Sequence, residues 1–199
     1  MFCFQCQEAS KGVGCTIRGV CGKTPETAQE QDLLIWSLKA LSIAAQMAGQ
    51  AQIQSCARLI AQALFATITN ANFDEERIRA LTREVLARRD QILPPAAAKI
   101  QNPYVTWKGQ TDEECKIKAA QVGVLETSNE DLRSLKELVT YGLKGIAAYA
   151  EHAAVLGFQD PEVNSFFIEV LAALTQEKSV DELFTLTLKT GQVAVSGMA

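Results

Sequence analysis

Four of the six cysteines in this 199-residue chain crowd its front end, as Cys3, Cys6, Cys15 and Cys21 in the stretch MFCFQCQEASKGVGCTIRGVC. Two thiolates separated by two residues can turn onto one metal centre. Two more close by complete a tetrahedral sulfur set, suited to zinc or to an iron–sulfur cluster. The spacing leaves both open. A disulfide framework is a weaker alternative, because the chain is long, helix-rich and opens without an export signal. Two features tilt the balance toward iron. Gly12, Gly14, Gly19 and Gly22 let backbone come close to a bulky cluster and aim amide hydrogens at its sulfurs, while Lys11, Arg18 and Lys23 can offset the charge of four thiolates. Phe2 and Phe4 can shield one side from water. Zinc loops use glycine as well, and the same lysines read equally as ordinary solvated charges.

The other chemistry-bearing residues read as structural. Cys56 lies between Ile53 and Ile60 on an inward face and is expected to be a buried, unreactive thiol. Cys115 follows three acids in the first turn of a helix, where a lowered pKa is conceivable, but it reads as incidental. His152, the single histidine, falls near a helix C-terminus, where the dipole or packing accounts for it. No second histidine and no nucleophile signature accompany it, so a hydrolase triad has no basis and no catalytic residue is assigned. Lys39 and Lys144 are expected as exposed charges, and Trp36, Tyr141 and Phe167 as core or interface aromatics.

The elements that must position the thiols are helical. Thr24-Pro25-Glu26 supplies a cap, a proline at the first helical position and an acid, and Leu34, Leu38, Leu41, Ala45 and Ala48 then share one face, predicting a helix over about 25–48. A second helix begins near Gln52 with Ile53, Cys56 and Ile60 in register and breaks at the turn-prone TNANFDEE, residues 69–76. A third carries Ile78, Leu81, Val85 and Ile92 until Pro94-Pro95 stops it. Residues 94–110 lack a period. Thr111 with Glu114 reads as a capping box for a short helix. A long helix then starts at Ser128 or Asn129, another at Asp160-Pro161, and Ser179 with Glu182 caps a last one expected to end at Gly191.

The halves resemble each other at a shift of 105 residues, with Leu33, Leu38, Lys39, Ala45 and Ala48 over Leu138, Leu143, Lys144, Ala150 and Ala153. The expected fold is all-α: a cysteine-rich iron–sulfur loop (1–24), a three-helix bundle (25–93), a connection with a short helix (94–127) and a second three-helix bundle (128–199). Composition narrows the function classes further. A net charge of −4 and a pI near 5.2 give no basic footprint for nucleic acid or an anionic membrane. No apolar run approaches the roughly 20 residues of a membrane span, and the cytoplasm is the expected location.

The segments MFCFQCQE, GCTIRGVCGK, LFATITNAN, SLKELVTYGLKGIAAYAEHAAVLGF and SVDEL resemble the N-terminal helical domain of the hybrid cluster protein family, also called hydroxylamine reductases or prismane proteins. The resemblance covers the whole chain. It implies two three-helix bundles and a 4Fe-4S cluster held by Cys3, Cys6, Cys15 and Cys21, matching the family group with this spacing and not the wider-spaced 2Fe-2S group. It further implies an oxidoreductase that reduces hydroxylamine to ammonia, with nitric oxide as another proposed substrate. The catalytic hybrid iron–sulfur–oxygen cluster belongs to later domains, whose ligands Cys56, Cys115 and His152 do not match. The chain is thus expected to be a truncated N-terminal piece that relays electrons from a donor protein to the remaining reductase domains. A zinc-binding helical docking module is the competing expectation.

Overall fold

A computed structural model describes residues 2–68 and 71–198. Thr69 and Asn70, the first residues of the turn read at 69–76, lie outside the described residues, as do Met1 and Ala199. Among those described there are eight α-helices and no strand, in keeping with the all-α expectation.

The capping chemistry places the helix starts. Thr24 Oγ1 accepts from the amide of Thr27 at 3.0 Å and Pro25 opens α1, Pro25–Ala48. Gly49, at φ 94°, turns the chain straight into α2, Gln50–Ala66, so that helix begins two residues before the expected Gln52. Asp74 caps α3, Glu75–Ile92. The region 94–110, without period in the sequence, holds a 3-10 turn at Pro95–Lys99 and a single turn of helix, α4, Pro103–Thr106. The Thr111–Glu114 capping box forms reciprocally at 3.2 and 3.1 Å and opens α5, Asp112–Ala119. Asn129 caps α6, Glu130–Val155, and Asp160 with Pro161 starts α7, Pro161–Ala173. Ser179 and Glu182 exchange bonds at the head of α8, Val180–Met198.

The helix α8 corrects the expectation of an end at Gly191. Gly191 does not adopt the left-handed conformation that terminates a helix, and Val193 and Ala194 beyond it pack on the core. An interior glycine costs a helix only about 1 kcal/mol, which this packing offsets.

Helix α1 is the centre of the molecule. It packs against α2, α3 and α7, while α6 pairs with α8 and α2. One hydrophobic cluster runs through both halves, joining Leu38 and Leu41 to Ile60, Ile78, Leu143, Phe167 and Leu183. A second, smaller cluster puts Leu33, Trp36 and Ala40 of α1 against Cys115 and Ala119 of α5. There Trp36 stacks on Tyr104 with ring centroids 4.7 Å apart and meets Trp107 edge-on at 5.3 Å. Glu30 accepts twice from Arg79, at 3.0 and 2.8 Å, and ties α3 to α1 through a largely buried ion pair. The interior thus leaves one end of α1, beside Thr24, free to receive the cysteine loop.

Candidate metal centre

The loop 2–24 is shaped by backbone contacts, with few apolar ones. The amide of Phe2 donates to the carbonyl of Cys15 at 3.0 Å and clips the Cys3–Cys6 arm against the Cys15 arm. After Cys6 a 3-10 turn, Gln7–Ala9, reverses the chain. Cys21 is presented by a tight turn closed by Gly19 N to Lys23 O and Gly22 N to Gly19 O, both 2.8 Å. Gly22 sits at φ 96°, a conformation costly for any other residue. A Cβ on Gly19 would lie 3.1 Å from the Cys21 sulfur and from the Lys23 carbonyl, so glycine there is what lets the turn close.

Cys3, Cys6, Cys15 and Cys21 all line one narrow cavity, together with Gly19 and Lys23. Every cysteine in the chain is a free thiol. No three Cys, His, Asp or Glu side chains among the described residues are grouped tightly enough to surround a single metal ion. Glu8 and Gln5 line the cavity beside the four sulfurs, so its potential donors are mostly thiols, the soft chemistry that suits iron–sulfur clusters and zinc. Lys23 is buried at 1 % exposure and extends its ammonium to 3.9 Å from the Cys3 sulfur and 2.8 Å from Gln31 Oε1. A fixed, desolvated ammonium at that distance offsets part of the charge four thiolates would bring. The quartet, the missing Cβ at Gly19 and the buried ammonium fit a negatively charged, sulfur-ligated group.

The remaining candidates lie apart from this cavity. Cys56 is fully buried in the main core. Cys115 is buried in the second cluster with its thiol 3.7 Å from the Gly109 carbonyl, and burial pushes it up, against the lowering a helix N-terminus would bring. His152 is exposed in the last turn of α6 and packs edge-on against Phe65 at 5.7 Å. Trp36 and Phe167 are buried, whereas Tyr141 is exposed.

Lys39 and Lys144 correct the expectation of exposed charges. Lys144 is buried, and Lys39 is half-buried. Both line a polar chamber of about 80 Å³ between the loop, α1 and α6, shared with Asp32, Glu137 and Cys3. Lys144 Nζ donates to the Thr67 carbonyl at 3.2 Å, near the C-terminus of α2, and, with the Gln5 amide turned to satisfy both its groups, to the Gln5 side-chain oxygen at 2.9 Å. Burial pulls Lys144 down to about 8, against the opposing carboxylates of Glu137 and Asp32. Burial likewise lowers Lys39. Asp32 is pushed up to about 7, first by burial and then by Glu137, although Lys144, Lys23 and Lys39 pull the other way. Helical periodicity conceals this chamber, since a lysine between apolar residues reads as a solvated edge. The usable signal was the repeat itself, which aligned Lys39 with Lys144.

The sequence profile of the Prismane/CO dehydrogenase family matches residues 1–199. The chain is 49% identical over its whole length to a hydroxylamine reductase of Desulfitobacterium hafniense, 47% to one of Nitratidesulfovibrio vulgaris and 48% to one of Bacteroides fragilis. It spans 37% to 38% of the length of these relatives. A match over every residue, on a chain whose front cysteines line a single cavity, establishes that this chain belongs to the Prismane/CO dehydrogenase family.

Proposed function

We propose that the chain is the electron-relay part of a hydroxylamine reductase, holding a 4Fe-4S cluster through Cys3, Cys6, Cys15 and Cys21. The observation that carries this reading is the gathering of four free thiols around one cavity with a buried lysine against one of them. The resident group would supply one-electron transfer. The residues of the chain do the rest: the Gly19–Lys23 turn fixes Cys21, the Phe2–Cys15 bond sets the two arms together, and Lys23 compensates charge. Cys6 and Cys21 are exposed, which leaves a short path to a donor protein in the cytoplasm. Reduction of hydroxylamine to ammonia cleaves an N–O bond with two electrons and two protons, and nitric oxide is a further substrate of the same electron supply. That chemistry is assigned to the additional length of the relatives and not to this chain.

Anaerobic purification followed by metal and sulfide analysis tests the reading. Brown protein with about four irons and four sulfides per chain is expected, with the colour lost in Cys6→Ala. Colourless protein carrying one zinc, or iron content unchanged in Cys6→Ala, would overturn it.

A further inference from the structure

The repeat extends beyond the identities that reveal it. At the same shift of 105, Asp32 falls on Glu137 just as Lys39 falls on Lys144. Helices α1 and α6 therefore each carry an acid and, two turns later on the same face, a lysine. The fold brings both pairs to one chamber. Among the described residues none of the four lies within 4.0 Å of an opposite charge, and none hydrogen-bonds a cysteine sulfur. A chamber of about 80 Å³ has room for several waters between them.

Direct pairing would neutralise buried charges at least cost. Setting them apart around space that water can enter does something else: protons can reach them, and the charge of the acids stays responsive to charge added nearby. Cys3 of the candidate metal centre lines the same chamber. We propose that Asp32, supported by Glu137, Lys39 and Lys144, is a proton store coupled to the electron load of the cysteine loop. This rests on the reading that the loop holds a one-electron carrier.

In the coupled step one electron enters at the loop from a one-electron donor, and one proton from water forms an O–H bond at an Asp32 carboxylate oxygen. Oxidation breaks that bond and returns the proton to water. Added negative charge raises the proton affinity of the acid, and by linkage the protonated acid makes the loop easier to reduce by the same factor. The groups facing Asp32 are Lys23 from the loop, Lys39 from its own helix, and Glu137 and Lys144 from α6. Glu126, Arg133, Lys136 and Tyr104 complete the titratable and charged lining. Burial outweighs the lysines and brings the carboxyl to about 7, where its occupancy can change under ordinary conditions. The Gly123 backbone closes over it, since a Cβ there would stand 3.3 Å from Asp32 Oδ2.

The test is the midpoint potential of the iron-loaded protein at a series of pH values from about 6 to about 9, with iron and sulfide measured on each sample. The potential is expected to fall as pH rises, approaching about 59 mV for each tenfold drop in proton concentration where one proton accompanies one electron. Asp32→Asn should flatten that slope. Redox-difference infrared spectroscopy of the unmodified protein should show a protonated-carboxyl band appearing on reduction and moving in heavy water, which decides the matter even if the variant does not fold. Fully loaded protein with a pH-independent potential, a slope retained in Asp32→Asn, or no carboxyl band would overturn the proton store alone. Protein without iron would overturn it together with the cluster reading.

Discussion

Helices α1 and α6 carry corresponding residues in unlike surroundings. Leu38 and Leu143 match, and both are fully buried in the shared core. Leu33 and Leu138 also match, yet Leu33 is fully buried while Leu138 is 54% exposed, and Trp36 is buried where its counterpart Tyr141 is exposed. The cause is the stretch between the halves. Tyr104 and Trp107, with α5, cover the outer face of α1, whereas the same face of α6 borders an open groove beside Phe4 and Cys6. Periodicity thus establishes which residues share a face. Whether a neighbour arrives to cover that face is decided elsewhere in the chain.

The sharpest way to break this comparison is to truncate matched positions. Trp36→Ala should cost about 3–5 kcal/mol in denaturant unfolding, and Tyr141→Ala less than about 0.5 kcal/mol. Leu33→Ala should cost about 2–5 kcal/mol, with Leu138→Ala again near zero. Equal losses at either pair would mean that the face of α6 is buried in solution.

The charged positions sharpen it differently. Asp32 has a raised folded pKa, so its contribution to stability is fully present below its ordinary 3.8 and is lost as pH rises through about 7. Lys144 is lowered, so its burial cost is relieved only as pH climbs from about 8 toward its ordinary 10.5. Asp32→Asn should therefore stabilise the protein by about 1–3 kcal/mol at a pH of about 8, an advantage that vanishes in acid below about pH 4. Urea titrations at the two pH values would read this, and a gain equal at both would contradict it. Thr111→Ala, which removes the capping box of the helix covering α1, should cost about 1 kcal/mol.

Much of this fold was legible because caps are local. Thr24, Thr111, Asn129, Asp160 and Ser179 each mark a helix start through a side chain that meets an amide two or three residues on. The spacing of Cys3, Cys6, Cys15 and Cys21 is equally local, and the short loop sets all four along one cavity, although among the described residues no three of them surround a single ion. The end of α8 was not legible, because Gly191 stops a helix only when its backbone turns left-handed and the packing of Val193 and Ala194 keeps it helical. Nor was the burial of Lys39 and Lys144, which depends on two helices 105 residues apart meeting at the loop. Cys115, read as incidental, is buried by the second cluster, where desolvation raises its thiol against the helix dipole.

The most direct test of the central idea is X-ray absorption at the iron edge of the anaerobically purified protein. A first shell made only of sulfur, with a short iron–iron distance, is the expected result, and it should disappear when Cys3, Cys6, Cys15 and Cys21 are replaced together by serine. A signal at the zinc edge with no iron, or an iron shell of nitrogen and oxygen indifferent to those replacements, would contradict it.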